Sequence, residues 1–278
     1  MTIKQFLNQC TLPLLEARML MQCVTGLTRV QLLTHDTDEL SDAQQTQWQA
    51  LLARRERGEP MAYILGEREF YGRMFRVNPH VLIPRPDTET LIDAVLADFG
   101  DGLSNDAVSL MDLGTGSGAI AVTLAAERPD WQVYASDVST DALQVARDNA
   151  LRLNAPVRFF AGDWWAALPA DEGLKFNIVV SNPPYIEAND AHLSQGDVRF
   201  EPQGALTDGA DGLQHYRAIL RDVAQYLCSN GALYFEHGFN QGEAVRGLLS
   251  AAGFTQVRTI KDLAGNERVS VGGWSREE

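Results

Sequence analysis

A chain of 278 residues, 45% hydrophobic and 22% charged, has an ordinary globular composition and room for one large domain or two smaller ones. Its formal net charge of -14, from 23 basic and 37 acidic residues, speaks against a partner held mainly through phosphates and suits a basic protein or a cationic cofactor. Three scattered cysteines (Cys10, Cys23 and Cys228) exclude a disulfide framework, and without a Cys-x-x-Cys pair or spaced histidines no metal site is expected.

The cysteines read as buried thiols of a reducing compartment. The N-terminus lacks a signal peptide's apolar core, and no apolar run has the length of a membrane span, so a cytoplasmic protein is expected. Residues 1–70 read as a helical domain. Leu12, Leu14, Leu15, Met19, Leu20 and Val24 recur near helical spacing up to Gly26 and are expected in its core. Ser41-Asp42 caps a helix over Ala43 to Arg57, with Trp48, Leu51 and Leu52 as its stripe, and Gly58-Glu59-Pro60 stops it.

Alternation from Tyr63 to Ile83 predicts a β-hairpin turning at Gly72-Arg73, so residues 71–88 are assigned as hairpin and linker. Leu82-Ile83-Pro84-Arg85-Pro86-Asp87-Thr88-Glu89 is an extended link in which Asp87 or Thr88 can cap the following helix. Arg85 has two readings, a solvated linker residue or a group that helps close a cofactor site.

Residues 89–278 form the third segment, in which strand and helix alternate. Strands are predicted at Val108 to Asp112, Gln132 to Asp137, Val157 to Ala161, Phe176 to Ser181 and Ala232 to Glu236. Helices fall at Ala119 to Glu127, Thr140 to Leu153 and Tyr216 to Leu227. Thr255 to Lys261 and Glu267 to Gly272 are too close for a helical crossover and should pair antiparallel. The pattern is that of an α/β protein with a doubly wound, mostly parallel sheet.

Three strand ends carry binding chemistry. Asp112-Leu113-Gly114-Thr115-Gly116-Ser117-Gly118-Ala119 is a glycine loop that opens a helix, and it satisfies the dinucleotide fingerprint. Asp137 ends the next strand at the distance where an acid accepts from ribose hydroxyls, although it could also cap a helix. Asp163-Trp164 follows the third; an acid beside an indole suits an adenine ring, and Trp165 leaves open which indole meets it.

The fourth strand end decides between NAD and S-adenosylmethionine. Asn182-Pro183-Pro184-Tyr185 leaves the sheet in one stiff conformation. That stiffness sets the Asn182 side chain beside the Pro183 carbonyl as two acceptors, with Tyr185 as a flat face. Hydride transfer needs no such clamp; methyl transfer to a planar nitrogen does.

Together these residues resemble the HemK/PrmC family of class I S-adenosylmethionine-dependent methyltransferases, which methylate a glutamine in bacterial peptide-chain release factors. The likeness extends to Gln195 through Pro202, Glu236-His237-Gly238 and Asn266-Glu267-Arg268. It implies a seven-stranded sheet with the last strand antiparallel and a helical N-terminal domain for substrate recognition. It implies S-adenosylmethionine, leaving as S-adenosylhomocysteine, bound by Gly114, Thr115, Gly116, Ser117, Gly118, Asp137, Asp163, Trp164 and Asn182. The release factor's Gly-Gly-Gln glutamine would be held by Asn182, Pro183, Pro184 and Tyr185, with Asn182, Pro183 and Tyr185 catalytic. A monomer without metal, nucleic acid or membrane contact is expected.

Glu236 and His237 are read as a buried hydrogen-bonded pair, and Glu267 and Arg268 as a pair across the final hairpin. Two other readings stand beside this one. An adenine-N6 nucleic-acid methyltransferase would share the Asn-Pro-Pro-Tyr clamp, and a non-catalytic translation-associated module could keep the fold.

Overall fold

The computed structural model describes residues 1–100 and 108–275. The first helices are α1 (Ile3–Gln9), α2 (Leu14–Thr25), α3 (Arg29–Thr34), α4 (Asp42–Glu56) and α5 (Met61–Leu65). Thr2, Thr28 and Ser41 each form a capping box with a glutamine three residues on, satisfying N–H groups the helix cannot. Leu20, Met21, Leu51 and Trp48 fill a core of their own beside Ile3 and Phe6. Leu14 and Leu15, expected inside, are 52% and 64% exposed, because the buried face of α2 is Ala17, Leu20, Met21 and Val24.

The hairpin is shorter than predicted: β1 (Glu67–Phe70) pairs antiparallel with β2 (Arg73–Arg76). Tyr63 lies in α5 instead. The turn is Tyr71-Gly72, both with positive φ, the geometry that two-residue hairpins favour, while Arg73 already belongs to the strand. The Tyr63 hydroxyl donates to the Val81 carbonyl at 2.6 Å. Tyr63, Val77, Val81 and Ile83 then pack on Ala142 and Val145, joining the helical part to the sheet.

The chain continues through α6 (Glu89–Phe99), β3 (Ser109–Leu113), α7 (Ala119–Glu127), β4 (Gln132–Asp137), α8 (Thr140–Arg152), β5 (Val157–Ala161) and β6 (Phe176–Ser181). It ends with α9 (Gln214–Asp222), β7 (Leu227–Glu236), α10 (Gly242–Ala251), β8 (Thr255–Lys261) and β9 (Glu267–Trp274). Among the described residues the main sheet has seven strands in the order β5-β4-β3-β6-β7-β9-β8. β9 runs antiparallel to both neighbours and the other pairings are parallel.

Alternate residues feed opposite faces. Leu110, Ile178, Val180 and Tyr234 join α6 and α7 in one core; Met111, Val179, Leu233 and Phe235 join α9 and α10 in the other. The helix α10 has no counterpart among the sequence expectations. The predicted helix Tyr216 to Leu227 stops at Asp222, since Leu227 already pairs with Phe176 in the sheet. Neither Asp87 nor Thr88 makes a side-chain cap at α6.

The free cysteines are not buried as expected: Cys23 is exposed and Cys10 and Cys228 are partly covered. No helix among the described residues is long and apolar enough to cross a membrane.

Candidate active site

Beyond β3 the chain turns to one side through β4, and beyond β6 to the other through β7. Ligands of open α/β sheets bind outside the carboxyl ends of strands at such a divide. Here the strand ends are tied together. Ser181 Oγ donates to the Leu113 carbonyl at 2.7 Å, and the Gly114 and Thr115 N–H groups both donate to the Ser136 carbonyl at 2.9 Å. Asn149 of α8 is fully buried and donates to the Ser117 and Arg76 carbonyls while accepting from the Arg76 N–H, so one amide ties the glycine loop to the hairpin.

A cavity of about 280 Å³ opens at this divide. Gly114, Thr115, Gly116, Ser117, Asp137, Asp163, Trp164, Asn182 and Pro184 line it; Gly118, Pro183 and Tyr185 stand outside its lining. The facing wall comes from two segments far apart in sequence, Val81 to Thr88 and Pro202 to Ala205. Glu201 locks that wall: its side chain is fully buried, accepts from the Ile83 N–H at 3.0 Å, and pairs with Arg85. Of the two readings of Arg85, the wall residue is the observed one. The segment carrying Glu201 is anchored in turn on the helical part, through Asp197 to Arg55 at 3.1 Å and Arg199 to the Arg57 carbonyl at 3.1 Å.

Gly114 has a φ of +76°, and a Cβ there would lie 3.2 Å from the Trp164 ring, so backbone and indole are in direct contact. Trp164 is itself held at a φ of +44°, a strained position for a bulky residue. Trp165 faces the other way, buried, with Nε1 donating to the Ile219 carbonyl and its ring stacked on Tyr226. Trp164 is therefore the indole at the cavity. His215, which sequence reasoning passed over, packs against it at 5.3 Å and also lines the cavity. Burial lowers its pKa.

Asp137 accepts from the Gly116 N–H at 2.8 Å and the Ser139 N–H at 2.9 Å. Ser139, and not Asp137, caps α8. Burial raises the pKa of Asp137 despite these N–H donors.

Asn182 is half-buried. Its Nδ2 donates to Thr88 Oγ1 at 3.4 Å, which leaves Oδ1 as the free acceptor. Glu236, at the end of β7, is 1% exposed with Oε2 unpartnered. The Tyr185 phenol packs against the core under α9; burial raises its pKa, and the Glu236 charge adds to that. The Tyr185 carbonyl accepts from Gln241 Nε2 at 3.0 Å, which pins the turn after the prolines.

Glu236 and His237 do not pair with each other. His237 Nε2 meets Ser270 Oγ at 2.9 Å and its Nδ1 meets the Gly238 carbonyl. Arg268 pairs with Asp87 at 3.1 Å and Asp262 at 3.2 Å, while Glu267 pairs with Arg246. Neighbouring residues along a strand point to opposite faces, so Glu267 does not meet Arg268; Arg268 instead meets Asp262 in the link of the final hairpin and Asp87, far off in sequence.

Two fully buried carboxyls, Asp112 and Glu236, have pKa values raised to about 7 by burial. Between the unfolded values near 4 and about 7, the folded state holds more protons than the unfolded chain. Their stabilising contribution is thus complete below pH 4 and is lost as pH rises through 7, with a slope of about 1.4 kcal/mol per pH unit per group. Thermal denaturation of wild type and Asp112→Asn at pH 6 and pH 8 should show a smaller loss on going to pH 8 in the variant. Equal losses would contradict the assignment.

A sulfonium cofactor fits this cavity. Its lining carries Asp137 and Asp163 against Arg85, whose charge is already answered by Glu201. A pyrophosphate would find no unpaired guanidinium or ammonium among the described lining residues.

Residues 2–66 match the family model described as the PrmC N-terminal domain, and residues 91–226 the methyltransferase small domain. The chain is 52% identical over 273 residues to the release factor glutamine methyltransferase of Neisseria gonorrhoeae, covering 98% of this chain and 97% of that one. It is 51% identical over 270 residues to the same-named protein of Bordetella pertussis, covering 97% and 98%. Among solved structures, the fold is shared with the T. thermophilus 16S rRNA N2 G1207 methyltransferase in complex with AdoMet and guanosine. That match has a TM-score of 0.55 at 20% identity, covering 76% of this chain and 50% of that one.

Proposed function

We propose the reaction of this chain from one fact: it belongs to the release factor glutamine methyltransferase family. It transfers a methyl group from S-adenosylmethionine to the side-chain amide nitrogen of the glutamine in the Gly-Gly-Gln motif of a bacterial release factor. The observation that carries this reading is Asn182, which reaches the same cavity as the glycine loop with its nitrogen spent on Thr88 and its oxygen free.

S-adenosylmethionine, when bound, supplies an electrophilic methyl on a cationic sulfur. Gly114 to Ser117, Asp137, Asp163 and Trp164 would hold it, Asp137 as an acceptor for ribose hydroxyls and Asp163 and Trp164 as an acid and an aromatic face suited to adenine. An amide nitrogen is a poor nucleophile because its lone pair is delocalised into the carbonyl. Asn182 Oδ1 and the Pro183 carbonyl each accept one N–H of the glutamine and turn that lone pair toward the methyl. Tyr185 closes on the amide plane from the core side. Such positioning supplies several kcal/mol of the barrier. No base is required before transfer, and the nitrogen sheds its extra proton afterwards. The helical domain contributes to docking the release factor. The protein acts as a monomer in the cytoplasm. It acts without nucleic acid, a reading its charge of -14 supports.

Purified bacterial release factor, wild type and with the motif glutamine changed to alanine, should be incubated with the protein and methyl-labelled S-adenosylmethionine. Label is expected on the wild type alone. Equal label on both would overturn the substrate assignment.

A further inference from the structure

We propose, resting on the methyl-transfer reading above, that His215 is a positioning residue of the cofactor site. Its ring holds the Trp164 indole against the glycine loop and so shapes the end of the cavity that takes the purine.

Trp164 needs holding. Its backbone sits at a φ of +44°, a region that a bulky residue leaves unless its surroundings fix it. The turn that carries it is tight: Gly162 has a φ of +153°, and a Cβ there would stand 2.7 Å from the Ala167 Cα. Beyond this turn the two indoles part. Trp165 goes inward, where Nε1 donates to the Ile219 carbonyl at 2.8 Å. Trp164 goes to the cavity, with Gly114 against its ring and His215 beside it, 5.3 Å between ring centres and 56° between planes. His215 and Ile219 are four residues apart on α9, so they lie one turn from each other on one side of the helix. A single helix therefore grips both indoles. Ile219 takes the buried one, and His215 takes the one that faces the ligand space.

His215 is placed in turn by the loop before α9. The Asp208 carboxylate accepts from the N–H groups of Ala210 at 2.8 Å, Gly212 at 3.1 Å and Gln214 at 2.9 Å, which sets the first turn of the helix. The imidazole is half-buried and lines the cavity together with Asp163, Trp164 and Asn182. The charged groups that bear on it are Asp208 and Asp163; burial outweighs both and favours the neutral ring. A neutral ring offers an aromatic surface without setting a cation beside a sulfonium.

A purine is a flat face edged with polar groups, and it packs best on an aromatic surface already in place. An indole free to swing would have to be ordered at each binding event, at a cost in affinity. His215 removes that cost beforehand. Truncating it should weaken every ligand that carries the purine, whatever follows the sulfur.

The test is calorimetric affinity for S-adenosylhomocysteine and for 5′-methylthioadenosine, at a mildly alkaline pH, with wild type, His215→Ala and His215→Phe. The alanine variant should bind both ligands about threefold to tenfold more weakly, the contribution of one aromatic pair, and by the same factor. His215→Phe should restore most of the loss. KM for S-adenosylmethionine should rise by that factor in the alanine variant, while kcat and KM for the release factor move less. Unchanged affinity in the alanine variant overturns the proposal. So does a loss confined to S-adenosylhomocysteine, which would place His215 at the amino-acid end, and so does a phenylalanine variant as weak as the alanine one. If His215→Ala fails to fold, His215→Asn, which keeps polarity and loses the ring, takes its place. If wild type binds neither ligand, it is the cofactor reading that fails. If wild type binds both and the variants bind alike, only the role of His215 fails.

Discussion

Asn182→Ala is expected to lower kcat by about two to three orders of magnitude, the cost typical of losing one preorganised hydrogen-bonding group at a reacting centre. The variant retains the fold, because Asn182 contributes only the 3.4 Å contact to Thr88 and sits half-exposed at a cavity wall. What disappears is the acceptor that holds one N–H of the glutamine; the Pro183 carbonyl alone leaves the amide free to swing. Asn182→Asp should fare little better. It restores an oxygen toward the substrate but replaces the NH2 that Thr88 accepts from with a second oxygen, and it adds a charge at the cavity wall. Single-turnover labelling at saturating S-adenosylmethionine reads the loss directly, and near-normal methylation by the alanine variant would remove Asn182 from the mechanism.

The second large effect concerns stability. Glu201→Ala is expected to destabilise the protein by about 1–3 kcal/mol, the cost of leaving a buried N–H without its acceptor, while Arg85, a third exposed, can turn to solvent. The Glu201 side chain is fully buried; without it the Ile83 N–H has no acceptor and Arg85 faces an emptied site. Glu201→Gln, which keeps an acceptor for Ile83 and loses the charge, should cost less. Urea denaturation of the three proteins gives the ordering, and S-adenosylmethionine affinity should fall in parallel as the wall from Val81 to Thr88 loosens. An alanine variant as stable as wild type would show that the wall is held by other contacts.

Four strands (Gln132–Asp137, Val157–Ala161, Phe176–Ser181 and Thr255–Lys261) have the bounds read from the chain alone. Each is a run of β-forming residues ended by a glycine, proline or charged residue, and that signal is local. The helix capped by Ser41 is announced by a similar local signal, though it runs Asp42–Glu56 where Ala43 to Arg57 is read from the chain. Where local signals compete, the reading slipped. Leu227 extends a helical stripe by spacing, yet β6 claims it as a strand partner. The tight turn fell one residue early because Tyr71 adopts a φ of +50°, which the residue type does not announce.

Apart from Gly118, the residues read as cofactor contacts do line one cavity, because they follow strand ends at fixed offsets. The second layer of the site was not legible. Thr88 reads as a helix cap and instead accepts from Asn182; Glu201 meets Ile83 and Arg85 across more than a hundred residues. Nothing in local spacing encodes such contacts. The nearest signals were two prolines and a threonine in the Leu82 to Glu89 link and a lone acid before Pro202.

The stretch from Asp197 to Glu201 behaves like a beam resting on two supports. One support is the arginine and carbonyl at the end of α4; the other is the link beside the cavity. Trimming away the first sixty-six residues would therefore not release a smaller working catalyst. It would leave one end of the beam hanging, and the cavity at the strand ends would lose its squared corner.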